Sequence, residues 1–176
     1  YDALKENGYT SGMDIMKGLL SMSDYSIKTT SGNKIDCGDI LRRRQETDYN
    51  LVVGVYSQCD DYKVFHTEYT FYIRPEHERK LWGKMNYNQL AEYVNYVKNI
   101  PAGKQAQQET KTERTVLKNC ISDKNALIKI HPKVDSKKQR RVQCSVKISE
   151  LMTSGIEYKV TAIREFVQSP KRTFNK

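Results

Sequence analysis

Two stretches near the middle of the chain constrain its fold most. Residues 50–56 (Asn-Leu-Val-Val-Gly-Val-Tyr) are almost continuously apolar, the pattern of a strand covered on both faces. Residues 64–73 are crowded with aromatic and β-branched side chains, and residues 59–63 between the two read as a hairpin connection. A pair like this needs neighbours. Residues 12–17 and 24–30 read as earlier strands, with a turn at 31–33 and, before them, a helix end over 1–7 closed by Gly8. Residues 34–46 place Ile35, Ile40 and Leu41 against a polar face and end on three arginines, which reads as a short helix or a loop leading into one. Leu90, Ala91, Val94 and Val97 share one face of a helix over 87–99, with Asn88 as its cap and 101–103 as its stop. Residues 104–118 are polar, an exposed helix or a mobile segment. Strands at 126–131 and 140–148 flank a turn at 134–139, and 156–167 is a last strand or helix. The expected class is α/β, with a mixed central β-sheet flanked by helices, in one domain over 1–176.

Charge divides this domain. The net charge is +9, yet residues 1–100 are close to neutral, while 101–176 hold 17 Lys and Arg against 7 Asp and Glu. A basic part joined to a neutral part points to a polyanion: nucleic acid first, an acidic membrane surface or acidic protein otherwise. The basic hairpin concentrates the signal. Lys133, Lys137, Lys138, Arg140 and Arg141 are candidate phosphate contacts, and Gln139 and Gln143 candidate base readers. Arg42 and Arg43 read either as phosphate contacts or as a solvated helix end. The aromatics of 65–72 and the lone Trp82 read as packing residues. No apolar run approaches the roughly 18 residues of a membrane span, so no membrane partner is expected. Four cysteines without a CxxC pair, and three histidines without zinc spacing, suggest reduced thiols in a cytoplasmic setting. The chain opens on Tyr1 rather than a methionine, which leaves targeting open.

Asp14 lies in the 12–17 strand and Lys28 in the 24–30 strand. Side chains alternate along a strand, so Ser26 and Lys28 point the same way. A carboxylate and a lysine on adjacent strands can converge on one metal-bound water, the minimum for hydrolysing a phosphodiester. Asp14 as a turn residue and Lys28 as a solubilising edge charge are the plainer alternatives.

The order of helix, Asp strand, x-x-Lys strand, helix and two further strands resembles the core of the PD-(D/E)XK nucleases, the superfamily of most type II restriction endonucleases. The resemblance covers about residues 1–73. It implies a restriction-endonuclease-like core over 1–100, with 101–176 as a basic DNA-binding part carrying the hairpin as an extension. It matches Asp14 to the metal-binding Asp and Lys28 to the catalytic Lys, with Ser26 in the acid position. It further implies Mg2+ held by Asp14, the Ile27 carbonyl and Glu6, with Asp36 or Asp39 as other sources of a second carboxylate. Asn33 and Lys34 fall where small restriction enzymes approach DNA. The departures are Met13 in place of a proline and Ser26 in place of an acid, a weaker ligand for a hard cation. The implied activity is sequence-specific, Mg2+-dependent cleavage of double-stranded DNA by a homodimer, with 87–99 and 104–118 as candidate interface elements. The rival readings are a non-enzymatic DNA- or RNA-binding protein, a domain for an acidic protein partner, and a structure-specific repair nuclease.

Overall fold

The computed structural model describes residues 22–59, 62–135 and 139–168. Asp14 and Glu6 therefore lie outside the described residues, as do Lys137 and Lys138. Within them the chain is mixed α/β, with two sheets and six α-helices.

The first sheet is built on the two strands that dominate the sequence. β3 (Tyr49–Cys59) and β4 (Tyr62–Ile73) pair antiparallel from Tyr49 opposite Ile73 to Cys59 opposite Tyr62. β1 (Tyr25–Thr30) adds parallel to β3, and β7 (Tyr158–Gln168) adds antiparallel to β4, giving the order β1-β3-β4-β7. One parallel and two antiparallel pairs make this sheet mixed, as expected. Leu51, Val53, Phe71 and Ile73 close its inner face, each at most 2% exposed.

Residues 34–39 correct the sequence reading. They form a strand, β2 (Lys34–Asp39), and only Ile40–Gln45 is helical (α1). Ile35 and Cys37 are buried while Lys34 and Asp36 are exposed, a period of two that the helical reading had merged with Ile40 and Leu41. A bulge falls between Asp36 and Gly38, and Gly38 takes the positive φ of 80° that this irregularity uses. Asp39 then starts α1 by accepting a hydrogen bond from the Arg42 backbone N–H at 3.0 Å.

β2 pairs with neither of its sequence neighbours. Its partner is β6 (Arg140–Lys147), which also pairs with β5 (Lys129–Val134), so the second sheet has the order β2-β6-β5. The expected basic hairpin is thus real, but it is no extension. Val142, Cys144 and Val146 turn inward with Ile35 and Cys37 into the same core as the first sheet.

Helices close the remaining sides: α2 (Glu78–Trp82), preceded by a 3-10 turn, α3 (Tyr87–Lys98), α4 (Lys104–Glu109), α5 (Lys111–Ile121) and α6 (Ile148–Thr153). α3 buries Leu90, Tyr93, Val94 and Val97, one helical face. Its cap is Asn86, whose side chain accepts from the Asn88 N–H at 2.7 Å, rather than Asn88 itself. The polar segment 104–118 becomes α4 and most of α5. The ambiguous 156–167 becomes β7. Trp82 is buried, as expected of a packing residue. No helix of the described residues is long and apolar enough to cross a membrane.

Candidate nucleic-acid interface

Ser26 and Lys28 do share a face of β1, opposite Leu51 and Val53 of β3. Both have partners among the described residues. Ser26 is fully buried, and its hydroxyl accepts a hydrogen bond from the Arg43 guanidinium at 2.9 Å. The Lys28 ammonium is half-buried and donates to the Ile27 carbonyl at 3.0 Å. A metal ion at that carbonyl would meet the ammonium first. Asp36 accepts from the Gly38 N–H, and Asp39 caps α1. Among the described residues no three His, Cys, Asp or Glu side chains gather. Asp14 and Glu6, the carboxylates that the resemblance implies for Mg2+, lie outside the described residues, and of that set only the Ile27 carbonyl is described.

Arg43 is the organising residue here, and its burial overturns its expected phosphate contact. It is 2% exposed. One guanidinium nitrogen lies 2.7 Å from Glu46 Oε2, an ion pair by distance though off the line of a good hydrogen bond. Its Nε donates to the Cys37 carbonyl at 3.4 Å, and its plane lies 4.9 Å from the centre of the Tyr49 ring. Burial pushes the Tyr49 phenol up to about 12, with the neighbouring Arg43 charge pulling against it. Arg44 lies over the Trp82 ring and reaches Glu78 at 2.6 Å, tying α1 to α2. Arg42 is half-buried beside Gly38. The arginine run is mostly structural.

Two thiols belong to the same neighbourhood. Cys37 and Cys144 are buried, whereas Cys59 and Cys120 are exposed. The hydrogen bond that Cys144 gives Cys37, and then burial, push the Cys144 thiol well up. An aromatic disulfide reagent should label two thiols in the native protein and four after unfolding; rapid native labelling of all four would contradict this packing.

Of the cations expected to meet nucleic acid, Lys34, Lys133 and Arg141 are exposed on the outer face of the second sheet. Along β6, Val142, Cys144 and Val146 point into the core and Arg141, Gln143, Ser145 and Lys147 to the other face, where Arg141 and Lys147 are exposed, Gln143 is half-buried and Ser145 is buried. Register places Lys34 of β2 directly opposite Lys147, and Lys133 of β5 directly opposite Arg141. Between these rows, Lys129 stands opposite Ser145 and His131 opposite Gln143. His131 hydrogen-bonds through Nε2 to the Ser145 hydroxyl at 2.7 Å. Burial holds its pKa below the usual value, and the charges of Lys34, Lys133 and Lys118 hold it lower still. A half-buried imidazole influenced by three lysines from β2, β5 and α5 marks a local concentration of positive potential. Asp36 is the acidic side chain among these outward positions, with Asp39 at the end of β2.

The expected contacts sort cleanly on this frame. Lys34, Lys133, Arg141 and Gln143 lie on the basic face, and Gln139 is exposed at the hairpin tip. Two expectations are corrected. Asn33 is a clasp: its amide accepts from the Ser149 N–H at 2.9 Å and donates to the Ser149 hydroxyl at 2.8 Å, capping the start of α6. Arg140 directs its guanidinium to backbone carbonyls of Ile100, Pro101, Asp135 and Gln139, joining the end of α3 to the hairpin tip. Lys118, Lys129, His131 and Lys147 were missed. The alternation in Lys-Ile-His-Pro-Lys-Val and in Arg-Val-Gln-Cys-Ser-Val-Lys would have found all but Lys118.

Compared with known proteins, the chain matches no family model, no curated protein and no solved structure.

Proposed function

We propose that this chain binds nucleic acid, with double-stranded DNA as the form to test first, through the outer face of the β2-β6-β5 sheet. The observation that carries this reading is the like-charge cross-strand pair Lys133 opposite Arg141, joined on the same face by Lys34, whose opposite residue Lys147 is ion-paired with Glu150 at 2.9 Å. Like charges directly opposite on adjacent strands destabilise a sheet. A polyanion laid across them reverses the sign of that interaction. Size agrees with the assignment. The outer strands of a three-stranded sheet lie roughly 10 Å apart, so the face spans enough width to meet phosphates without entering the groove, which takes a two-stranded ribbon. Gln143 stands in the middle of the face, while the lysines set the register on phosphates.

The test is fluorescence anisotropy with a labelled duplex across a range of salt. Lys129 is held by the Lys124 and Ala126 carbonyls and Lys147 by Glu150, so neutralising Lys34, Lys133 and Arg141 against phosphates predicts a slope of log affinity on log salt of roughly −3. Lys34→Gln and Lys133→Gln should each reduce that slope by about 1 without changing sequence preference. Affinity that ignores both salt and these substitutions would falsify the reading.

A second reading keeps the Mg2+-dependent DNA endonuclease on a restriction-endonuclease-like core. Lys28 favours it, standing on a strand of a mixed sheet, parallel to β3, and following Asp14 at the spacing of the nuclease pattern. Incubation with long, unmethylated duplex DNA, with Mg2+ or with EDTA, beside a Lys28→Ala variant, separates the two. Discrete fragments that vanish in EDTA and with the variant support the nuclease. DNA that stays intact yet bound in a salt-dependent way leaves the binding reading alone.

A further inference from the structure

β7 is the outermost strand of the first sheet, and no described strand pairs with its outer edge. It is 11 residues long. It contains no proline, and its charges, Lys159, Arg164 and Glu165, are of both signs, so they guard the edge against a strand of one charge but not against a complementary one. Its apolar side chains are also bare: Val160, Phe166 and Val167 are 48%, 61% and 46% exposed. An edge with this length and this apolar content is a template for another strand.

We infer that the strand it takes is β7 of a second copy of this chain, in an antiparallel pairing centred on Ala162. The argument is self-complementarity. A two-fold axis through Ala162 perpendicular to the sheet pairs each residue with the one equally far on the other side. Lys159 then faces the partner's Glu165, and Glu165 faces the partner's Lys159. Tyr158 faces the partner's Phe166, Val160 the partner's Arg164 and Thr161 the partner's Ile163. The smallest side chain of the strand stands on the axis, where two identical residues meet. Each pair keeps both side chains on the same face, as antiparallel pairing requires. Against β4, β7 carries one extra residue between Ala162 and Glu165, as β4 does against β3 at His66; through Thr70 and Phe65, Lys159 and Glu165 line up with Val52 and Tyr56, four apart on β3, and so share a face.

Charge selects this register over its neighbours. With the axis on Thr161, Glu165 faces the partner's Glu157, a like-charge contact. With the axis on Ile163, Lys159 faces the partner's Val167 and Glu165 the partner's Thr161, and both ion pairs are lost. The interface is separate from the basic face of the second sheet, so it stands whether or not that face binds nucleic acid. It also differs from α3 and α4–α5, the elements the sequence suggested for a dimer.

The experiment is sedimentation velocity over a concentration series, run on four proteins: wild type, Lys159→Glu, Glu165→Lys, and the double swap. Thermal melts check that each is folded. Wild type should sediment as a dimer. Each single reversal sets like charges opposite each other twice and should give a folded monomer, and the double swap should restore the dimer. Wild type that stays monomeric at the highest concentration overturns the proposal, including the case where the edge serves a different protein. A dimer indifferent to the single reversals, or a double swap that stays monomeric while folded, overturns it as well.

Discussion

Replacing Arg43 with alanine should lower the thermal midpoint by on the order of 10 °C. The guanidinium is buried against four partners at once: the Glu46 carboxylate, the Ser26 hydroxyl, the Cys37 carbonyl and the Tyr49 ring. Removing one member of a buried pair leaves the other charge in low dielectric without compensation, which costs about 3–5 kcal/mol. In a chain of this size each kcal/mol moves the midpoint by roughly 2–4 °C. The cost comes mostly from the stranded Glu46, so Arg43→Ala combined with Glu46→Ala should be less damaging than the two effects added. Arg43→Lys should fall between wild type and alanine, because it keeps the charge but loses the fork that reaches Ser26 and Cys37 together. Calorimetry on the four proteins checks this. A drop of less than about 1 kcal/mol for Arg43→Ala would mean that the joint between β1, β2 and α1 is held by apolar packing alone.

Lys133→Glu should move stability and nucleic-acid affinity in opposite directions. Lys133 is exposed and directly opposite Arg141, so the substitution turns a repulsive cross-strand pair into an attractive one. Such pairs are worth roughly 0.2–1 kcal/mol, and the free protein should gain about that much. Affinity should fall at every salt concentration, because a phosphate contact is lost and a like charge now faces the backbone. The salt slope should fall by about 1 or more. Denaturant unfolding and anisotropy on the same preparation read both effects. A variant that is less stable and binds less well would indicate misfolding, and Lys133→Gln then gives the cleaner comparison. A variant that is more stable with unchanged affinity would remove this row of the sheet from the interface.

The sequence was most legible where the chain pairs with itself locally. β3 with β4, and β5 with β6, are hairpins whose strands announce themselves by composition and whose short connections dictate the pairing. α3 was legible for the same reason, since Leu90, Val94 and Val97 fall on one helical face. The fate of β2 was not legible. Six residues with two buried side chains fit a helix start as well as a strand, and the decision comes from β6, which lies more than a hundred residues away. Site residues failed in the same way. Arg43 looks like a solvated arginine in a run of three, and nothing local says that Ser26 and Tyr49 will meet it. Arg140 looks like one more cation of a basic hairpin until the carbonyls at the end of α3 arrive beside it. Net charge correctly located the basic part of the chain. Which cations are available depends on register, and register is a non-local property.

The position of β6 has a consequence for biosynthesis. As the central strand of the second sheet it is the one described strand that pairs with β2, and the clasp from Asn33 to α6 closes only after Ser149 has been made. While the chain emerges in order, β3 and β4 can pair early, but Ile35 and Cys37 have no sheet to join until roughly the last fifth of the chain exists. The apolar side of β2 therefore lacks its described sheet partner until β6 is made, a period in which a nascent chain depends on chaperones or on the speed of its own synthesis.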